Sequence, residues 1–373
     1  MVVLFDSVSD RYGSSRICQL VLEFLQSNGV VVHCFVGEER RQKDCYGKAL
    51  RMPLLVMSYL RNHPIRYLLE TLRTALWMLM RQREIFGESE LVYCNTLATL
   101  PMAVIGRLSG RRTLVHMHET SSSSWMRRAG GYVLRRLAHR TICVSNAVAQ
   151  SWDLEGLKST SIVRNGIPVD NIEPNKSQNV NDMKYDICFV GRLSAKKGIG
   201  TFLQAIEELR KSQCVQGPRP LRVGIAGGSS PNSPFPADLS GWSNEGGVEV
   251  EYLGELQSTE EIFNRSRIAC VPSTFAAPYP TVVLEALRAG CVVVASELGG
   301  AREALIGAVA ELVPPGDSKA LASALSRQLN SWDAEAEVKN KALFMQRHTY
   351  TSFKHRLSAV PEIASLTSGK RAS

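Results

Sequence analysis

The chain has no run of about 18 apolar residues, so no membrane-crossing helix is expected. It has no C-x-x-C pair. Its nine cysteines are scattered and odd in number, which fits a reducing, cytosolic setting with Cys as a small buried apolar residue. Neither zinc-finger spacing nor an RNP-type aromatic strand occurs, so nucleic acid is not an expected partner. The pattern G-x-x-x-x-G-K-[ST] is also missing, which argues against a P-loop phosphoryl-transfer site. The opening residues, Met1 to Asp6, lack the basic start and the length of a secretory signal and read as a first strand.

What is present suits a globular α/β protein. The 373 residues are 44% hydrophobic and 21% charged, enough for two domains that each bury a core. The net charge of +9 is uneven: residues 1–180 hold 23 Lys/Arg against 15 Asp/Glu, and residues 181–373 hold 21 against 20. A basic half points to a polyanion, an anionic membrane or phosphorylated substrates.

Short apolar runs alternate with helical periodicity along both halves. In the first half, runs at 2–5, 30–36, 90–94, 113–115, 141–144 and 161–164 read as strands. Gly13 opens a helix with Ile17, Val21, Phe24 and Leu25 on one face. Residues 40–64 read as basic and irregular, and 169–184 as a polar linker. The pattern restarts with strands at 185–190, 221–226, 248–253, 268–271 and 291–295, with helices at 201–210 and around 302–306. Polar residues recur where strands end: Asn95 and Thr96, His116 to Glu119, Ser145 and Asn146, Asn165 and Gly166. Ligands bind at the carboxyl ends of strands in open parallel sheets.

The stretch 66–83 reads as one helix with Leu68, Leu69, Leu72, Leu76, Leu79 and Met80 on a shared face, and Arg66, Arg73 and Arg81 opposite, with Trp77 among them. The stretch 125–140 repeats the theme through Trp125, Arg127, Arg128, Arg135, Arg136 and Arg140. Two readings fit these basic faces: ordinary solvation, or contact with an anionic membrane surface, where Trp beside Arg is favoured.

Two further clusters point to chemistry. Arg192 and Lys197 stand five residues apart with Gly191 and Gly198 around a helix start, which supplies cations and free backbone N–H groups for a diphosphate. Glu285 is the one acid in the stretch 273–285; a carboxylate there can accept two hydrogen bonds from a ribose diol, or simply favour a helix start. His116, His118 and Glu119 could in principle bind a metal, but no further ligand stands at recognisable spacing, so no metal site is expected.

With these residues together, the chain resembles the GT-B-fold retaining glycosyltransferases of family 4 (glycosyl transferases group 1) over nearly its whole length. The most specific matches are Val190-Gly191-Arg192-Leu193 with Lys197-Gly198, then Val271-Pro272-Ser273, then Pro280-Thr281-Val282-Val283-Leu284-Glu285-Ala286. Weaker ones are Tyr12-Gly13 with Arg16, His118-Glu119, Asn165-Gly166-Ile167 and Val313-Pro314-Pro315-Gly316-Asp317. The resemblance implies two Rossmann-like, doubly wound parallel-sheet domains facing a cleft. Residues 1–170 would hold the acceptor and 184–347 the nucleotide sugar, with the last helices, from about residue 348, packing back on the first domain. It implies that Arg192 and Lys197, with Gly13, bind the donor diphosphate, that Glu285 binds its ribose, and that Ala277, Pro280 and Thr281 form the donor-sugar loop. His118 would be the catalytic-site histidine facing the transferred sugar. Arg16, Asn95, Glu119 and Asn165 would line the acceptor side or cleft.

One position departs from the family. Its members carry two glutamates eight residues apart; the second matches Glu285, but the first falls on Ala277, beside Ala276. The expected activity is metal-independent, cofactor-free transfer of a hexose from a nucleotide diphosphate sugar to a glycan or lipid-linked acceptor, with retention, in cell-surface polysaccharide synthesis. The setting would be cytoplasmic and peripheral to an anionic membrane. Two alternatives stay open: a degenerate transferase that binds nucleotide sugar or a partner subunit, and a nucleotide-sugar epimerase of the same fold.

Overall fold

The computed structural model of the protein describes residues 1–6, 13–37, 50–52, 64–121, 123–169, 183–212, 219–228 and 247–368. The chain divides into two units: Met1–Asn165 with Phe353–Ser373, and Gly166–Ser352. Most of the expected linker lies outside the described residues, as does Tyr12.

The first unit is a seven-stranded sheet in the order β3-β2-β1-β4-β5-β6-β7. Its strands are β1 Val2–Asp6, β2 Val32–Gly37, β3 Leu50–Met52, β4 Leu91–Asn95, β5 Arg112–Met117, β6 Arg140–Cys143 and β7 Thr160–Ile162. The second unit is a six-stranded sheet, β10-β9-β8-β11-β12-β13. It is built from β8 Tyr185–Val190, β9 Leu221–Ala226, β10 Val248–Tyr252, β11 Ser266–Val271, β12 Val292–Ser296 and β13 Ala310–Val313. Every pairing is parallel. That explains why the strands read as unbroken apolar runs: β1, β4, β11 and β12 are buried along their whole length, as strands covered by helices on both faces must be. In each sheet the strand order reverses once, between β1 and β4 and between β8 and β11, and a ligand crevice opens at such a point.

The tail is tied into the first unit by specific bonds. Arg140 Nε donates to Glu362 Oε2 at 2.8 Å, and Arg356 Nη2 donates to the Arg164 carbonyl at 3.0 Å. At the amino edge of the second sheet, buried Asp186 accepts two bonds of 2.8 Å from the Arg219 guanidinium and one of 2.9 Å from the Arg222 amide. Burial alone would raise the Asp186 carboxyl; the Arg219 contacts outweigh it and hold the group below its ordinary value.

Three expectations change. The stretch 40–64 contains β3, which pairs with β2. The helix expected over 66–83 is two, Pro64–Met80 and Gln82–Phe86, broken at Arg81. Its leucine face is not the packed one. Met78 and Thr74, one turn apart, are fully buried, while Leu69, Leu76 and Met80 are 60%, 60% and 77% exposed. The helix packs its narrow Thr74–Met78 seam toward the helix Leu100–Leu108. Arg73 is consequently exposed on the leucine side rather than opposite it. The side chains of Arg66 and Leu68 lie outside the described residues.

Candidate active site

In the second unit, loops at the carboxyl ends of β8 and β11 are stitched together. After Val190 the chain passes Gly191 and Arg192, anchors buried Leu193, and makes a single turn, Ala195–Lys197, before the helix Ile199–Lys211. The Thr274 amide donates to the Lys196 carbonyl at 3.1 Å and its hydroxyl to the Ala195 carbonyl at 2.8 Å. Lys196 lies 5.1 Å from the centre of the Phe275 ring, within cation–π range. Gly198 is left-handed at φ 75°, and a Cβ there would overlap the Pro272 carbonyl oxygen, so no other residue lets the loops approach so closely.

This stitching leaves Arg192 and Lys197 on the open side of the loop, both exposed. Surrounding protein, and then the neighbouring Arg192 charge, hold the Lys197 ammonium below its ordinary value. Two cations crowded together in this way are relieved by an anion between them.

Glu285 sits half-buried in the helix Thr281–Arg288 and accepts a 2.6 Å bond from the Thr259 hydroxyl. The loop before that helix is backed by Gly300, whose amide donates to the Ala277 carbonyl at 2.8 Å and whose Cβ position is filled by the Pro278 carbonyl oxygen. Ala277, Pro280 and Thr281 are all half-buried there.

The carboxyl edge of the first sheet is of another kind. Asp6, Asn95 and His116, at or near the ends of β1, β4 and β5, are wholly buried, and Asn95 donates to Asp6 at 3.0 Å. Thr96, a β-branched residue, takes φ 72°, a costly conformation held in part by its amide bond to the His116 carbonyl at 2.9 Å. Just past β5, half-buried Glu119 accepts from the His118 amide at 3.1 Å and the Leu97 amide at 3.3 Å. Burial lifts its carboxyl to about 7 against the lowering effect of those bonds. Burial drives His118 down to about 3, so its imidazole is neutral across the physiological range. Gly13 stands at the start of the helix Ser14–Ser27 at φ 66°, and among the described residues nothing lies within 4 Å of where its Cβ would project. Among the described residues no three His, Cys, Asp or Glu side chains converge as a metal-binding group.

Residues 184–331 match the sequence family described as Glycosyl transferases group 1, and residues 12–171 match Glycosyltransferase Family 4. The chain belongs to these glycosyltransferases. It is 29% identical over 192 residues to a phosphatidyl-myo-inositol mannosyltransferase of Mycobacterium leprae, spanning 49% of this chain and 48% of that protein. Over 174 residues it is 28% identical to the gpi3 subunit of a Schizosaccharomyces pombe phosphatidylinositol N-acetylglucosaminyltransferase, spanning 45% and 36%. The matched regions thus cover half or less of these relatives. In fold it resembles Anabaena HepE in complex with UDP and glucose, with a TM-score of 0.71 at 18% identity over 98% of this chain and 99% of that one. It equally resembles a sucrose-phosphate synthase from Thermosynechococcus elongatus, with a TM-score of 0.74 at 18% identity over 99% of each. The architecture is therefore GT-B: two Rossmann-like domains.

Within the chain the sequence-derived residues fall into two groups. Arg192 and Lys197 share one loop, which Thr274 ties to the loop after β11; that loop runs on through Ala277 and Pro280 into the helix bearing Thr281 and Glu285. Asn95, His118 and Glu119 share the first sheet's edge with Gly13, to which Asn95 is tied by a 3.4 Å bond to the next carbonyl, Ser14. Arg16 lies half-buried in the first turn of that helix. Asn165 is buried beyond β7, three strands along the sheet from β4. Sequence reasoning passed over Tyr93, hidden in an apolar run, and treated His116 as a strand-end residue, whereas β5 continues through Met117. The signal for both was two-residue periodicity: Tyr93 and Asn95 share a sheet face, as do His116 and His118.

Proposed function

We propose that the chain transfers a hexose from a nucleoside diphosphate sugar to a hydroxyl of a glycan or lipid-linked acceptor, with retention at the anomeric carbon and without a metal. The observation that carries this reading is the exposed pair Arg192 and Lys197 on the loop that Gly198 lets close against the Pro272 carbonyl, just before the helix start at Ile199. Those cations and backbone N–H groups meet the charge of the leaving diphosphate. Glu285 accepts from the ribose hydroxyls, Gly13 admits the diphosphate near its backbone, and His118 faces the transferred sugar. The acceptor hydroxyl attacks on the face the leaving group departs from; its proton passes to the leaving phosphate oxygen as the glycosidic bond breaks. That route needs no enzymic nucleophile, so Ala277 does not forbid it.

The UDP-bound neighbour supports a uridine or similar nucleotide, and the relatives named for phosphatidylinositol support a lipid-linked acceptor. Membrane association rests on the exposed residues of the first unit. The helix Ser124–Leu137 contains no acid and exposes Trp125, Arg128, Tyr132, Arg135 and Arg136. It packs, like Pro64–Met80 with its exposed leucines, against Leu100–Leu108. Among the described residues no helix is long and apolar enough to cross a membrane. An anionic bilayer surface is the occupant that matches leucine, tryptophan and arginine together. Binding to anionic vesicles that weakens with salt, and is lost in a Trp125→Ala/Arg128→Ala variant, is expected; equal partitioning to neutral vesicles counts against it.

A second reading, a binding subunit without turnover, is favoured by Ala277. A panel of nucleoside diphosphate sugars separates the two. The expected outcome is a rise in Tm with one donor, worth about 2.7 kcal/mol at a hundredfold excess over Kd, together with donor hydrolysis or transfer. Stabilisation without turnover by the wild type selects the binding subunit. No stabilisation by any donor sinks both.

A further inference from the structure

We propose that Tyr93 and His116 are positioning residues for His118: the Tyr93 hydroxyl pins the His116 ring, and that ring is the wall that holds His118 toward the transferred sugar. The proposal rests on the donor reading above for what His118 faces, and on geometry for the rest.

Asn95 is the register partner of His116, so Tyr93, two residues earlier on β4, projects from the same sheet face. Its hydroxyl lies 2.6 Å from His116 Nδ1. The His116 ring stands with its centroid 4.1 Å from that of His118, tilted by 46°. Tyr93 and His116 are wholly buried, so neither ring can swing without moving its neighbours.

The bond has a direction. A phenol is the stronger donor and an imidazole nitrogen the stronger acceptor, so Tyr93 donates and His116 Nδ1 is unprotonated. The proton of neutral His116 then sits on Nε2. The titratable groups around the pair are Asp6, Cys18 and Cys94 beside Tyr93, and His118 beside His116. Burial raises the Tyr93 hydroxyl well above its ordinary value and lowers both imidazoles, so all three rings remain uncharged.

Among the described residues His116 Nε2, His118 Nε2 and Asn95 Oδ1 are buried without a hydrogen-bond partner. Buried polar atoms are nearly always satisfied, and of these three exceptions along the carboxyl ends of β4 and β5 only His118 Nε2 belongs to a residue that is not wholly buried, so it is the one that a ligand's hydroxyl can reach. A neutral His118 can exchange a hydrogen bond with a sugar hydroxyl without placing positive charge beside a sugar ring that itself becomes positive during transfer.

The test compares wild type with Tyr93→Phe, which removes one oxygen and keeps the ring. In ¹⁵N-histidine-labelled wild-type protein, ring nitrogen shifts should show His116 bare at Nδ1 and protonated at Nε2. In Tyr93→Phe that tautomer should become mixed and the His118 ring signals should move. With the best sugar donor, kcat should fall roughly threefold to tenfold, the effect of one lost hydrogen bond. The Kd of the bare nucleoside diphosphate, which carries no sugar for His118 to meet, should not change. A protonated Nδ1 on His116 in the wild type, or unmoved His118 signals in the variant, overturns the proposal, as does an unchanged kcat. If the wild type turns over no donor, the donor reading fails by itself, and the ring-nitrogen spectra still decide whether Tyr93 and His116 position His118.

Discussion

The two sheets are built alike, yet their carboxyl edges are chemically opposite. The second unit exposes Arg192, Lys196 and Lys197 on loops joined by backbone contact. The first unit buries Asp6, Asn95, His116 and Tyr93 and keeps the His116 and His118 imidazoles neutral. One edge attracts charge; the other offers fixed, uncharged hydrogen-bonding groups. A sugar nucleotide has the same division, an anionic diphosphate and a neutral, hydroxyl-rich hexose. One fold thus supplies both kinds of surface through the residues that end each strand and the loops beyond them, while the strands themselves stay interchangeable.

The sharpest way to break the cationic edge is Gly198→Ala. The left-handed backbone and the clash with Pro272 together should cost about 3 kcal/mol and pull the two loops apart. A lowered Tm with lost nucleotide diphosphate binding is the expected result, while the vesicle binding of the first unit should persist. A variant as stable as wild type would mean that the loops need not touch.

Lys197→Ala should leave stability nearly unchanged and weaken UDP or GDP by roughly 1.5–3 kcal/mol, the worth of a charge-assisted contact. Arg192→Ala should act in the same direction. Calorimetry giving wild-type Kd in both variants would remove the diphosphate role from this edge.

The smallest effect sharpens the contrast from the first unit. Glu119 is raised to about 7 from an ordinary 4.5. A folded-state pKa above the unfolded one means the folded protein binds the extra proton between those values, so this contribution is full below about pH 4.5 and is lost as pH rises to about 7. Glu119→Gln keeps an acceptor for Leu97 and His118 without the charge. It should therefore gain about 2 kcal/mol relative to wild type on going from pH 4.5 to 7. Chemical denaturation of both proteins across that range checks it; parallel curves would show that Glu119 titrates normally.

Much of the cationic edge was legible because its residues are local in sequence. Arg192, Lys197 and Gly198 fall within seven residues, and Pro280, Thr281 and Glu285 within six. Strand positions were equally readable, since parallel strands are apolar throughout; β8 and β9 fall at 185–190 and 221–226, as their sequence pattern indicates. The helix Pro64–Met80 was readable as a helix but not in orientation. Periodicity identifies an apolar stripe; it does not say that the core takes the Thr74–Met78 seam and leaves the leucines outside.

By itself the sequence determined two parallel α/β units, the basic character of the first half, and the clustering of cations and glycines after β8. These arise from composition, periodicity and short-range spacing, which need no knowledge of distant contacts. Only the tertiary structure decided that Tyr93 meets His116, that Asn95 meets Asp6 across 89 positions, and that Thr259 meets Glu285. Parallel pairing is the reason. Neighbouring strands in such a sheet are joined by long crossovers, so residues that share one hydrogen bond are separated by whole helices; strand register brings Tyr93 to His116 and Asn95 to Asp6, and the packing of the helix Thr281–Arg288 beside Glu260–Asn264 brings Glu285 to Thr259.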